Sequence, residues 1–505
     1  MKTTEQEKIG RFITELRERA GMTQEDLAAS LKTSQSAVAR MERGDQNFST
    51  EMLSKISAVL GRDVVTLGSG AINFKIEGGR PLSGTIRTNT SKNSAVGLLM
   101  ASLVNRGRTE LRGMPRIEEV NRVIEVLTSI GVVARWLNDT DIEITPPKRF
   151  SLEKLDVASA AKTRSVLMLL GPLVNALPKF KLPYPGGCKI GRRTVRPHLF
   201  GLQKLGVGIT ATKGNYHVTV KHLKPAEVVL YEAGDTVTEN LLMAAARIDG
   251  ATTLKFASAN YMVQDVAHYL EALGVRVEGI GTTTMKVHGL ADIDKDVVYY
   301  PSEDPIESML FLSIAATTNS AITIERCPID FLEIELLKLE KMGFRYKITK
   351  RYLARNGFTN LADIRTFPSK LVALEEKIHA QPYPGLNIDN LPFFVPIAAR
   401  AKGTMLIHDW VYENRAIYYM ELAKLGANVI LADPHRIYVE GPTEFRPAEI
   451  VCPPALRPAV IIMIAMLAAK GTSILRNVYS ISRGYEDIMT RLNRLGAKIE
   501  ILRGV

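Results

Sequence analysis

A thiol set among positive charges is the most chemically pointed feature of this 505-residue sequence. Cys188 follows Gly186 and Gly187 and is flanked by Lys189, Arg192, Arg193 and Arg196. Nearby cations stabilise a thiolate, so this setting predicts a lowered pKa and a reactive sulfur on a loop able to serve as a lid. Cys327 and Cys452 have no such company and read as inert buried thiols. Three scattered cysteines with no CxxC or HxxxH pair argue against a disulfide framework and a structural metal. No P-loop, GxGxxG fingerprint, HExxH or Asp-rich loop is present, so neither ATP, nicotinamide nor metal chemistry is indicated, and no cofactor is expected.

The charge of the chain points to what that site would meet. The net charge is +12, but residues 1–70 hold ten basic and ten acidic side chains, so the whole excess lies beyond them. A basic cleft concentrates anions, which favours phosphorylated or carboxylated substrates. At 46% hydrophobic and 23% charged residues the composition is that of a folded protein, and the length suits about three domains. The longest uncharged apolar run, Pro458 to Ala469, lies between Arg457 and Lys470 and is shorter than the ~20 residues that span a bilayer. It predicts a core helix, and no membrane partner. The polar start MKTTEQEKIG lacks the apolar stretch of a signal peptide, which predicts a cytoplasmic protein.

The elements that must position these groups fall on either side of a break at Leu67-Gly68-Ser69-Gly70, with 68–70 as linker. Before it, Ile9, Phe12, Ile13 and Leu16 recur at helical spacing, as do Leu53, Ile56 and Leu60, with Thr23 and Ser34 as N-caps of two short helices between them. After it, a helix ending in an apolar residue and glycine, with a strand next in the chain, recurs at Gly131, Gly206, Gly274, Gly343, Gly426 and Gly496. The spacings of 75, 68, 69, 83 and 70 residues suit a unit of two strands and two helices. The glycines are expected at helix C-caps.

The stretch Thr23 to Gly44, TQEDLAASLKTSQSAVARMERG, resembles the helix-turn-helix of Cro/repressor-type DNA-binding domains, which predicts an all-α domain over 1–67. The resemblance implies DNA as a partner, with Gln35, Ser36 and Arg40 at base edges and Gln24 near a phosphate. The zero net charge of this segment weighs against strong binding, because phosphate neutralisation supplies much of such affinity. A dimerisation or docking module is the competing reading.

Four further segments, Thr85–Ser94 (TIRTNTSKNS), Leu182–Arg193 (LPYPGGCKIGRR), Pro382–Asp389 (PYPGLNID) with Val411–Arg415 (VYENR), and Tyr479–Glu486 (YSISRGYE), resemble the enolpyruvyl transferase superfamily. Within it they are similar to the branch that acts on UDP-N-acetylglucosamine, over about residues 71–505. The resemblance implies an α/β fold of two inside-out lobes with three repeats each and the active site between them. Residues 92–302 would form lobe one, with the cysteine loop, and 71–91 with 303–505 lobe two. It also implies the activity: the 3-hydroxyl of UDP-N-acetylglucosamine adds to C2 of phosphoenolpyruvate while C3 gains a proton, and phosphate is expelled, which is the first committed step of peptidoglycan precursor synthesis. Cys188 would deliver the proton, and would be alkylated by an epoxide such as fosfomycin, while Asp389 would take the proton of the hydroxyl. Lys92, Asn93, Arg193, Arg457 and Arg483 would hold phosphoenolpyruvate, Lys92 among the catalytic groups, since a trianion calls for convergent cations. Asn93, Arg164, Arg193, Asp389 and Val411 would meet the sugar nucleotide. Asp304 and Glu307 also match the family, in a structural role, and His198 reads as a packed loop residue.

Three departures from the family pattern stand out. Ala455 replaces an aspartate two residues before Arg457; Arg193-Thr194-Val195-Arg196-Pro197-His198 exchanges an acid for a base in the nucleotide loop; and Gly234-Asp235-Thr236 stands where Ser-Val-Gly is usual. They keep two alternatives open: an enolpyruvyl transferase with another nucleotide or sugar acceptor, and a DNA-binding regulator whose transferase-like body senses a sugar nucleotide.

Overall fold

The computed structural model describes residues 5–45, 52, 55–56, 59–60, 72–161, 163–186, 194–212 and 214–502. The chain clusters into two compact units, one of residues 1–72 with 502–505 and one of residues 73–501. The proposed linker, Gly68 to Gly70, lies outside the described residues.

In the small unit, α1 (Glu5–Arg19), α2 (Gln24–Leu31) and α3 (Gln35–Arg43) enclose Ile13, Leu16, Leu27, Val38, Met41 and Ile56. The two expected caps are present. The Thr23 hydroxyl accepts from Asp26 N–H while the Asp26 carboxylate accepts from Thr23 N–H, a reciprocal capping box, and Ser34 accepts from Ala37 N–H. Arg17 is buried with Glu42, its Nε donating at 2.5 Å. Gln24 donates to the same carboxylate at 2.7 Å, so that side chain is engaged within the unit.

In the large unit the described strands form six sheets, and they gather around two hydrophobic cores. One core spans residues 95–299 with Phe331; the other joins residues 74–86 to 306–499. Strand Asn73–Gly78 pairs antiparallel with Gly471–Arg476, and Ser83–Arg87 pairs parallel with Ala321–Pro328, which carries the beginning of this unit into its C-terminal half. The six helices that matter for the site are α4 (Lys92–Ala101), α5 (Glu118–Ser129), α6 (Asp235–Ala245), α7 (Tyr261–Ala272), α8 (Pro305–Thr318) and α9 (Leu456–Ala468). Every residue of α8 is buried, as are nearly all of α9, because both are apolar around the full circumference and so must be covered on every side. Strands such as Arg436–Gly441 alternate buried and exposed positions, as one-sided sheets require. The run at Pro458 is thus a core helix, and among the described residues no helix is long and apolar enough to cross a membrane.

The six recurring glycines all have positive φ, from 84° to 101°, where a side chain would be strained at the end of a helix. The chain passes between the two cores twice, at 88–92 and 300–304, and the two passages lie side by side. Thr90 and Glu303 form an antiparallel bridge, Ser91 N–H donates to Ser302 O, and Asp304 N–H donates to Asn89 O, both at 2.9 Å.

Candidate functional site

A cavity of about 720 Å³ is lined from both halves of the large unit. Lys92 and Asn93 reach it because Ser91 caps α4, its hydroxyl accepting from the N–H groups of Asn93 and Ser94. That hydroxyl donates to Tyr261 Oη at 3.2 Å, and Asn93 Nδ2 donates to the same oxygen at 3.3 Å, so the turn is fixed to α7.

Across the cavity stands a carboxylate held by two guanidinium groups. Arg457 Nη2 donates to Asp389 Oδ2 at 3.3 Å, and Arg415 Nη1 lies 3.6 Å from Oδ1. The Asp389 loop is secured from behind: its own N–H donates to Asn387 Oδ1 at 2.8 Å, and buried Glu335 accepts from Asn387 N–H and from Asn390 Nδ2. Burial works to raise the Asp389 pKa, but Arg457, then Arg415 and Lys92, outweigh it and hold the carboxyl below its ordinary value. Arg415 is itself buried, gripping Asp409 through Nε at 2.6 Å and Nη2 at 2.8 Å and donating to Ile388 O. Arg457 also donates to the Tyr485 hydroxyl. Asp304 caps α8 by accepting from Ile306 N–H; burial lifts its pKa to about 6 against the pull of Arg457. Glu307 accepts from both terminal nitrogens of Arg491 and from Asn89 N–H. These two acids tie the passage between the halves together, as their structural reading expects.

Arg483 comes from the opposite core to α5, and its Nη2 donates to Glu119 Oε2 at 2.6 Å. Arg164 lines another wall and donates to Thr194 O at 3.0 Å. Val411 lies at the mouth beside Trp410, whose indole N–H donates to Ala380 O at 2.8 Å. Of the residues named from sequence for the substrates, Lys92, Asn93, Arg164, Asp389, Val411, Arg457 and Arg483 therefore share one cavity. Cys188 and Arg193 lie outside the described residues. Cys327 and Cys452 are buried, which pushes both thiols up to about 12 and makes them inert.

His198 lies in the first turn of a helix, Arg196–Lys204, rather than in a loop, because Pro197 suits a helix start. It is packed as expected: Nδ1 accepts from Asn240 Nδ2 at 2.8 Å, and burial, with the charge of Arg164, pulls its pKa to about 4 and keeps the ring neutral. Asp235 accepts from Ser258 and Asn260, its pKa raised by burial. Beside it Glu239, also lining the cavity, is pushed well up by burial and by the charges of Asp235 and Asp265.

Sequence reasoning did not single out Glu119, Asp409, Tyr485 or Arg415 as site groups. Arg415 and Tyr485 had a signal, their places in the VYENR and YSISRGYE segments; Glu119 had none.

Ala455 occupies the N-cap of α9 with φ −120° and ψ 131° and gives that helix no side-chain cap. An aspartate there can accept from the first-turn N–H groups, so Ala455→Asp is expected to stabilise the protein by about 1 kcal/mol. Denaturant unfolding of both proteins checks this. Destabilisation would mean that repulsion from Asp389 and Asp304 exceeds the cap.

The small unit has an exposed face on α3 bearing Gln35, Ser36 and Arg40, while Ala37, Val38 and Met41 face its core. Charges there are few, and no step of chemistry is suggested by them.

Comparison with known proteins places this geometry. A family model described as EPSP synthase (3-phosphoshikimate 1-carboxyvinyltransferase) matches residues 76–501, and one described as helix-turn-helix matches residues 13–67. The UDP-N-acetylglucosamine 1-carboxyvinyltransferase of Bradyrhizobium diazoefficiens is 34% identical over 429 residues, covering 85% of this chain and 98% of its own. That of Porphyromonas gingivalis is 32% identical over 437 residues, covering 85% and 100%. The crystal structure of the enolpyruvyl transferase NikO from Streptomyces tendae superposes with a TM-score of 0.75, covering 86% of this chain and 100% of that one; at 23% identity this likeness speaks for the fold alone. A family model spanning most of the chain, and relatives above 30% identity aligned over nearly their whole length, make the chain a member of the UDP-N-acetylglucosamine 1-carboxyvinyltransferase family of enolpyruvyl transferases.

Proposed function

We propose that this cleft transfers the enolpyruvyl group of phosphoenolpyruvate to the 3-hydroxyl of UDP-N-acetylglucosamine with release of phosphate. The observation that carries the reading is one cavity holding a carboxylate, Asp389, together with the cations Lys92, Arg457 and Arg483. The guanidinium forks of Arg457 and Arg483 suit the carboxylate and phosphate of the donor, and Lys92 supplies a point charge. Arg193 joins them in this reading, and Asn93, Arg164 and Val411 face the sugar nucleotide.

Asp389 takes the proton of the 3-hydroxyl as its oxygen bonds to C2, and Cys188 gives a proton to C3. Loss of a C3 proton as the C2–O bond to phosphate breaks then leaves the enol ether. The low pKa of Asp389 makes it a weak base in the empty cleft. An arriving trianion neutralises Arg457 and Lys92 and so raises that pKa, which makes the carboxylate a better base only when the donor is in place.

The test is phosphate release from phosphoenolpyruvate by the purified chain, with and without UDP-N-acetylglucosamine, with the product mass measured. Acceptor-dependent release and the enolpyruvyl adduct support the reading. Release only with a different nucleotide or sugar would move the assignment to another acceptor, in keeping with Thr194 and Asp235 at the cavity wall. Binding of sugar nucleotide with no turnover would favour a sensor.

The small unit serves DNA in this proposal, with α3 in the major groove and Gln35, Ser36 and Arg40 at base edges. Arg40→Ala is expected to weaken binding to the best sequence selected from a random DNA pool roughly ten-fold. Equal retention of the two proteins on that sequence would remove Arg40 from the interface.

A further inference from the structure

One edge of the cleft is bridged by two short segments that face each other, Arg116–Glu119 from one core and Tyr479–Glu486 from the other. Arg116 N–H donates to Glu486 Oε1 at 3.3 Å, Tyr479 meets Glu118, and Arg483 donates to Glu119 at 2.6 Å. The last contact lies in the cavity itself, beside Lys92.

Both oxygens of Glu119 are engaged. Thr163 Oγ1 donates to Oε1 at 2.5 Å and Arg483 Nη2 donates to Oε2. Burial works to raise its pKa, but Lys92, Thr163 and Arg483 outweigh it, so the group stays ionised. An ionised carboxylate lying against a guanidinium, with an ammonium nearby, uses the very donors that a phosphate or carboxylate ligand would use. At this spot the protein supplies its own anion.

We propose that Glu119 is an internal counter-anion that holds Arg483 across the empty cleft and lowers the affinity of that pocket for phosphorylated substrate. The proposal rests on the reading of the cleft as a phosphoenolpyruvate site and adds to it a residue that sets donor affinity. Its logic is electrostatic. Each anion that enters must share Arg483 with Glu119 and meet the repulsion of a second negative charge in a partly buried space. In return the contact neutralises Arg483 when the site is empty and keeps the two segments together, so the cations are already gathered when substrate arrives.

The test is calorimetric titration of the full-length protein with phosphoenolpyruvate and, separately, with inorganic phosphate. Glu119→Gln keeps the shape and the Thr163 contact but removes the charge, and it is expected to lower both dissociation constants about five- to tenfold, with a matching fall in KM for phosphoenolpyruvate. Glu119→Asp keeps the charge but retracts it from Arg483 and should tighten both by a smaller factor; it also serves as the readout if the glutamine variant fails to fold. Weaker binding in either folded variant would overturn the proposal, since it would make Glu119 a support that positions Arg483 for the ligand. Unchanged binding would overturn it as well, leaving the contact purely structural. Failure of the wild-type protein to bind either anion, while it still bound a sugar nucleotide, would instead overturn the phosphoenolpyruvate reading and this proposal with it.

Discussion

Replacement of Asp389 by asparagine is expected to lower kcat by roughly 10²–10⁴-fold, the usual worth of a general base. The substitution preserves the shape of the loop, because Asn387 and Glu335 fix its backbone through their own contacts and Arg415 keeps Asp409 as partner. Binding of the donor should therefore survive, and even tighten, since one negative charge has left the cavity. The pH profile carries a second sign. The wild-type carboxyl has a lowered pKa in the empty cleft, so in the free enzyme its charged form persists through the ordinary carboxylate range and is lost only as the pH falls through that lowered value. An acid limb of kcat/KM near neutrality must then belong to another group. Single-turnover phosphate release across pH decides the matter, and a variant with wild-type kcat would remove Asp389 from the chemistry.

The second large effect is expected at Arg457. Its guanidinium is buried, bonded to Asp389 and to the Tyr485 hydroxyl, with Asp304 near enough to feel its charge. Arg457→Ala takes away the guanidinium that both Asp389 and Asp304 interact with and leaves a gap at the start of α9. Breaking a buried pair from one side costs about 3–5 kcal/mol, so a marked fall in thermal midpoint is expected. At the same time kcat/KM for phosphoenolpyruvate should drop by about a hundredfold or more as a bidentate donor is lost. Arg457→Lys separates the two effects: it restores charge without the fork, so stability should recover further than catalysis. Equal recovery of both would show that charge alone matters at this position.

What could be read from the sequence divides along physical lines. The helix C-cap glycines were legible because the left-handed backbone leaves few choices of residue, and the caps Thr23 and Ser34 because a side-chain oxygen must stand in for a missing carbonyl partner. Lys92, Asn93, Asp389, Arg457 and Arg483 were legible through segments whose local pattern resembles a known family. Glu119 was not, since its meaning comes from Arg483, 364 positions away, and nothing in its own helix marks it. Tyr485 lies in the legible YSISRGYE segment, but its bond to Arg457 does not show there, and Asp409, six residues before Arg415, gives no local sign that it would be buried against that cation. His198 is packed, as its sequence suggests, but in a helix rather than a loop, because a proline can open a helix as readily as it ends one.

The side-by-side passages at Thr90 and Glu303 have a bearing on how the protein is made. The core of residues 95–299 uses a nearly continuous stretch of chain and can close while the ribosome is still translating the C-terminal half. Strand Asn73–Gly78 emerges earlier, yet its partner Gly471–Arg476 is among the last segments to appear. For most of synthesis that strand must wait with an unpaired edge, so the later core is the one whose nascent form invites mispairing and whose completion sets the pace of maturation.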